Sequence, residues 1–416
     1  MNILKTLIGD KEPVMVKNAE FVAFVCDETN TETMRRYVAQ RMLPHSTVEC
    51  GSIEQAVQYL RKMERPPAQL VVDVSDSDTP LSALAYLAEE CDPSVDVYVL
   101  GAQNDVGLYR SLLQLGIRDY LVKPLTVDLL TRTLGDAQQG KAEPLQRSRT
   151  GKVISVLGVR GGIGATSLCA HLAQHLAEDQ QRRVAVVDLD LYGSAISVLL
   201  GQQTNQGLMD VLQNIQGLDP QYMDRTLMKV GSRLFVLSCA LDYGDSFEPQ
   251  PGSLRHLVET LQHHFHYVLI DAQRLGAGMS VMTEEALDVS KLVYLVADRT
   301  VHSACAVTRM ARHIGARDNE PVISILLNHT SAPSAAHVEH KDFIAATERA
   351  ILLEFPYDAA NLTLAQNLGE RLNPRAPFAQ AVVRLGNDLS GVEQKVAPKH
   401  QQWHETLRAK LKQKVS

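Results

Sequence analysis

Residues 160–167, R-G-G-I-G-A-T-S, combine backbone donors, a helix start and hydroxyl groups within one short stretch. Gly161, Gly162 and Gly164 let the N–H groups around Ile163 close on phosphate oxygens, and a helix opening at Thr166 and Ser167 adds partial positive charge. The usual phosphate loop, G-x-x-x-x-G-K-[ST], has a lysine before its hydroxyl residue; here that position is Ala165. Thr166 is placed to coordinate Mg²⁺ directly. Two carboxylate sets follow. Asp188 and Asp190, two residues apart just past an apolar run, can face one site, one holding a water or Mg²⁺-bound water near a phosphate while the other supports the loop. Asp271 ends another apolar run, the Walker-B arrangement in which a carboxylate reaches Mg²⁺ through its water shell. Each carboxylate signal is weak alone, because aspartates often end strands.

Buried strands must deliver these groups. Val153 to Val159 is a continuous apolar run, and Leu168, Leu172 and Leu176 give the following helix one buried face. Further apolar runs at Val184–Val187, Leu234–Leu237, Val268–Ile270, Leu292–Val296 and Val322–Leu327 alternate with helical patterns such as Pro251–His264 and His302–Ile314. That rhythm predicts an α/β fold with an open, mostly parallel sheet and ligands at the strands' carboxyl ends. A second α/β rhythm precedes it. Strands are expected at Phe21–Cys26, Leu70–Val72, Val97–Leu100 and Asp119–Val122, with helices at Glu32–Arg41, Ile53–Met63, Leu81–Glu90, Val106–Leu115 and from Val127 to about Ala137. Between them QQGKAEPLQRSRT is polar and aperiodic, as a linker is. The expected organisation is 18–137, linker 138–150, 151–390, and a tail 391–416.

Composition narrows the class. The chain has 416 residues, 45% hydrophobic and 21% charged, with a formal net charge of −7. This suits a soluble globular protein and argues against broad nucleic-acid binding. Six scattered cysteines without C-x-x-C spacing read as reduced thiols of a cytoplasmic protein. No run approaches the ~18 apolar residues of a membrane span, and the N-terminus does not read as a signal peptide.

Residues 160–166 (R-G-G-I-G-A-T) and 188–194 (D-L-D-L-Y-G-S) resemble the K-G-G-x-G-K-[ST] and D-x-D-P-Q-G-[SN] motifs of the ParA/MinD deviant-Walker ATPases. Asn328 falls where that family sets an asparagine against adenine, and Phe355-Pro356-Tyr357-Asp358 resembles its base-closing segment. The resemblance implies ATP and Mg²⁺ as cofactors and a homodimer in which Arg160 replaces the lysine that reaches the partner's nucleotide. Residues 18–137 resemble a response-regulator receiver, flavodoxin-like in fold. Asp73 stands at the phosphoacceptor position and Lys123-Pro124 at the Lys-Pro pair. Cys26-Asp27 stands where an acidic pair holds Mg²⁺, unless Glu28 substitutes, and Gly101 replaces a hydroxyl residue. It reads as a degenerate receiver used for docking or dimerisation. The fusion is similar to the TadZ/CpaE family of pilus-assembly proteins. That resemblance implies a role in assembling or positioning a Flp-type (Tad) pilus secretion system, with the secretion ATPase and other assembly proteins as partners. It also implies a cytoplasmic location at a cell pole or peripheral to the inner membrane, and no specific nucleic acid.

Arginine at 160 keeps its charge at any pH and can grip phosphate bidentately. Losing the lysine at 165 removes one charge-assisted hydrogen bond, about 1.5–3 kcal/mol or roughly 10- to 100-fold in affinity. Turnover suffers more, because that lysine also offsets transition-state charge. The expectation is therefore ATP binding with weak or no hydrolysis. Alternatives are an active positioning ATPase, with Asp188 and Asp190 catalytic, and a response regulator with an ATPase-like output. His256, His263, His264 and His266 read as a polar helix end rather than a metal site. Asp242, Asp245 and Glu248 read as a solvated loop. In the tail, Trp403, Leu407 and Leu411 share a face beside Arg408, Lys410, Lys412 and Lys414, which suits a docking helix or a membrane-surface helix.

Overall fold

The computed structural model describes residues 19–63, 65–77, 79–138, 149–217, 220–242, 244–272, 281–332, 334 and 336–391. The tail pattern around Trp403 and most of the linker lie outside the described residues.

Five strands, β1 (Phe21–Val25), β2 (Ser46–Cys50), β3 (Gln69–Asp73), β4 (Asp96–Gly101) and β5 (Asp119–Val122), form a first sheet. All pairings are parallel, in the order β2-β1-β3-β4-β5. This is the flavodoxin-like order, with ligand sites favoured at strand carboxyl ends. β1 and β3 are buried at every position, which their apolar runs foretold. β2 was not expected. Its sequence STVEC is polar and half-exposed at an edge, so it lacks the apolar run that marks a central strand.

Eight more strands make the second sheet: β6 (Lys152–Gly158), β7 (Val184–Asp188), β8 (Met228–Lys229), β9 (Leu234–Leu237), β10 (Tyr267–Ala272), β11 (Leu292–Ala297), β12 (Val322–Asn328) and β13 (Ile351–Phe355). Their order is β13-β12-β11-β6-β10-β7-β9-β8, and only the β8–β9 pairing is antiparallel. The fold is therefore α/β with a mostly parallel sheet. β6 sits between β11 and β10, with apolar clusters on both faces. The helix after it, Ala165–Gln174, is buried along its whole length from Leu168, not on one face only. Helix Pro377–Ser390 covers its outer side, with Phe378, Ala381 and Leu385 buried. Among the described residues no helix is long and apolar enough to cross a membrane.

The two sheets meet through arginines at the amino ends of the second sheet. Arg182, just before β7, pairs with Glu90 at 2.8 Å, and both side chains are buried. Arg233, just before β9, donates Nη2 to the carbonyls of Leu60, Arg61 and Met63 at 3.1–3.4 Å. Arg149 donates to the Ala88 and Cys91 carbonyls, each at 2.6 Å. The accepting carbonyls close helices Ile53–Lys62 and Pro80–Glu90, where the helix dipole favours cations. The carboxyl ends of both sheets, where ligands would bind, therefore point away from the joint.

Candidate nucleotide-binding site

Beyond the carboxyl ends of β6 and β10 lies a cavity of about 430 Å³ lined by Gly158, the whole run 160–167, Asp190, Asp271 and Ala272. The glycine loop thus surrounds a space rather than packing shut. Gly162 and Gly164 adopt left-handed conformations, φ 70° and 85°, which glycine takes without strain. Gly164 is doubly constrained, since a Cβ there would lie 2.5 Å from Asn328 Nδ2. Ile163 is the loop's apolar anchor, 1% exposed. Ala165, Thr166 and Ser167 open the helix half-exposed to the cavity.

Asn328, at the end of β12, donates Nδ2 to the Ile163 carbonyl at 2.7 Å. Here it braces the phosphate loop. It pairs in register with Phe355, and Pro356 follows, half-buried and outside the lining of this cavity.

Asp188, which ends β7, and Asp271, next to last in β10, lie in direct register on adjacent parallel strands. Asp188 is fully buried. Its Oδ1 accepts the Asp190 N–H at 3.0 Å, and its Oδ2 has no hydrogen-bond partner. Burial, reinforced by the Asp190 charge, pushes its carboxyl up to about 7. Burial and the Asp188 charge push Asp271 well above the usual carboxylate range, against a hydrogen bond with Thr166. The structure places the two aspartates differently. Asp190 faces the cavity, while Asp188 lies behind it beside Asp271. Asp190 also holds its own loop by accepting the Gly193 N–H at 2.9 Å, and a Cβ at Gly193 would collide with it at 2.2 Å.

Crowded, under-solvated carboxylates beside a hydroxyl are an environment that a cation relieves. Thr166 and Asp271 are suited to hold Mg²⁺ with its waters. Among the described residues no three His, Cys, Asp or Glu side chains form a metal cage, and Mg²⁺ bound through phosphates and waters needs none.

Arg160 does not point into open solvent. Its Nε donates to Asp298 Oδ2 at 3.2 Å, and its Nη2 to the same oxygen at 2.5 Å. Burial alone would raise the Asp298 carboxyl, but hydrogen bonds from Arg160, Ser303 and Thr300 hold it below its ordinary range. Asp298 carried no sequence signal, because it follows β11, 138 residues from Arg160.

The receiver-like carboxylate is sequestered. Asp73 is 2% exposed; its Oδ2 accepts the Cys26 N–H at 2.9 Å and pairs with Lys123, and its Oδ1 accepts Ser75 N–H at 3.0 Å and Oγ–H at 2.6 Å. Asp27 lies against the same ammonium at 2.6 Å; desolvation is the largest single influence and would raise its carboxyl, but Lys123 and the Asn30 hydrogen bonds together lower it to about 2. Glu28 does not replace the missing acid. It faces outward and pairs with Arg35 at 2.9 Å. Gly101 is glycine because Tyr120 fills the space, its Oη 2.1 Å from where a Cβ would sit. Among the described residues the histidines of 256–266 join no group of three possible metal ligands, and His266 turns into the joint between the sheets.

A family model described as the NUBPL iron-transfer P-loop NTPase of the ParA group matches residues 149–239. An uncharacterized protein of Mycobacterium tuberculosis is 24% identical over 286 residues, 68% of this chain and 76% of that protein. The crystal structure of a ParA family ATPase from Chlorobium tepidum superposes with a TM-score of 0.53 at 16% identity, covering 58% of this chain and all of that one. The septum site-determining protein MinD from Pyrococcus horikoshii, solved with Mg-ADP, gives 0.50 at 21% identity over 59% of this chain and 97% of its own. The fold around the glycine loop is the one these proteins share.

Proposed function

Taking residues 151–390 as a ParA/MinD-like P-loop NTPase domain, we propose that the chain is an ATP-binding assembly or positioning factor with weak or absent hydrolysis. The observation that carries this reading is a preserved phosphate loop around a 430 Å³ cavity with alanine, not lysine, at 165. Backbone N–H groups, Thr166, Ser167 and a Mg²⁺ ion supported by Asp271 supply binding. Asp190 is the carboxylate able to order a water at the γ-phosphate, and Asp188 stands behind it. Among the described residues of the cavity lining, Arg160 is the one cationic side chain able to offset charge on the leaving phosphate, and Asp298 holds it aside. Binding without brisk turnover suits a switch that persists in one state.

Mg²⁺-ATP would neutralise the carboxylate cluster and draw Arg160 toward phosphate, in its own or a second copy's site, favouring a homodimer. A receiver-like unit whose acceptor carboxylate is already hydrogen-bonded on both oxygens suits docking better than phosphorylation. This combination supports the TadZ/CpaE reading, with a Flp-type pilus secretion ATPase and its assembly proteins as partners and a polar or membrane-peripheral site of action. Light scattering with and without Mg²⁺-ATP tests it. We expect dimers with nucleotide, lost in Arg160→Ala; a monomer under both conditions would contradict the reading.

A further inference from the structure

A second cavity, of about 390 Å³, lies in the joint between the two sheets, walled by Ala88 and Leu115 on one side and by Arg149, Lys152, His266 and Tyr267 on the other. Two of its polar groups are buried without a hydrogen-bond partner: His266 Nε2 and Arg149 Nη1. The His266 side chain is 8% exposed. Its Nδ1 accepts the Arg183 N–H at 3.1 Å, which places the imidazole proton on Nε2. Arg149 spends Nη2 on two carbonyls and leaves Nη1 unused. Both orphans are therefore donors, and a buried donor without an acceptor is costly.

The charge balance has the same sign. Arg149, Lys152 and Arg182 line the cavity against a single carboxylate, Glu89. Arg182 is already paired with Glu90, which leaves Arg149 and Lys152 against Glu89, one positive charge in excess on the lining. The space exceeds what a bare anion fills, its far wall is apolar, and domain joints commonly hold small organic ligands.

We propose that this joint binds a small organic phosphate of nucleoside-monophosphate size. Arg149 Nη1, His266 Nε2 and Lys152 take the phosphate oxygens, and Ala88, Leu115 and Tyr267 pack the organic body. Donors on separate stems suit the several acceptors of a phosphate. The site is at the amino ends of the second sheet, remote from the glycine loop, so it stands independently of the nucleotide reading. Because the ligand touches both units, binding would stabilise their docking by mass action.

Calorimetric titration of the full-length protein with AMP, without Mg²⁺, tests the proposal, with adenosine as the phosphate-free probe. We expect AMP to bind at least tenfold more tightly than adenosine. Binding should survive in the loop variant Thr166→Val and weaken at least tenfold in Arg149→Met and in His266→Asn. The His266→Asn variant keeps an acceptor for the Arg183 N–H while removing Nε2, so it leaves the joint intact even where Arg149→Met loosens it. No AMP binding in wild type, equal binding of adenosine, or loss in Thr166→Val with retention in His266→Asn would each overturn the proposal.

Discussion

Replacing Asp188 by Asn should stabilise the nucleotide-free protein at alkaline pH. An aspartate in water titrates near 3.9, whereas burial and the Asp190 charge carry Asp188 to about 7. Below about pH 4 the group is protonated in folded and unfolded chains alike and does not affect stability. Between about 4 and 7 the unfolded chain releases the proton that the folded chain keeps, so stability falls as pH rises, and above 7 the full cost is present. Each tenfold change in acidity is worth about 1.4 kcal/mol, so the ionised form costs up to ~4 kcal/mol. Because Asp271 titrates in the same cluster, ~2–4 kcal/mol is the expected gain at pH 8. In a domain of this size that is about 5–15 °C in Tm. Asparagine keeps the oxygen that accepts the Asp190 N–H and replaces Oδ2, which has no partner, so little is lost. Thermal melts at pH 5 and pH 8 provide the assay. Mg²⁺-ATP should reverse the ranking at pH 8 by neutralising the cluster in wild type. A variant that is destabilised at pH 8, or whose gain is the same at both pH values, would refute the electrostatic reasoning.

Further perturbations follow from the same geometry. Arg182→Met removes one of the two arginines paired with buried Glu90, leaving Arg61 at 3.0 Å, and should cost about 1.5–3 kcal/mol, read as a fall in urea midpoint with parting of the unfolding of the two sheets; no change would show the joint to be decorative. Asp73→Asn should leave acetyl-phosphate labelling at the level of wild type, near background, because both wild-type oxygens are engaged; labelling of wild type that the variant loses would restore the phosphorylation switch. Asp298→Asn weakens the hold on Arg160 and should raise nucleotide-dependent dimer formation several-fold by light scattering. A fall instead would show that Asp298 positions Arg160 for phosphate.

How far the sequence foretold this depends on how local each feature is. β6, the glycine loop and its helix are contiguous and apolar-patterned, so their positions were legible, as were the runs ending in Asp188 and Asp271. β2 and β13 were not, because edge strands such as STVEC and ILLEF are partly exposed and carry mixed patterns. Asp188 and Asp190 read as equivalent in sequence, yet one strand residue buries its side chain while a loop residue faces the cavity. The Arg160–Asp298 pair and the arginines against helix carbonyls join residues far apart in the chain, and a lone arginine before a strand resembles any surface charge. Glu28 shows the converse. Adjacent to Asp27, it nonetheless faces away, since the helix beginning there turns it toward Arg35.

The central claim is a retained nucleotide clamp with weakened chemistry. Its most direct measurement is Mg²⁺-ATP affinity and turnover in wild type beside Ala165→Lys. Wild type should bind ATP with little or no phosphate release, and the lysine should tighten binding about 10- to 100-fold and raise turnover. Brisk hydrolysis by wild type, or no ATP binding even with the lysine restored, would contradict it.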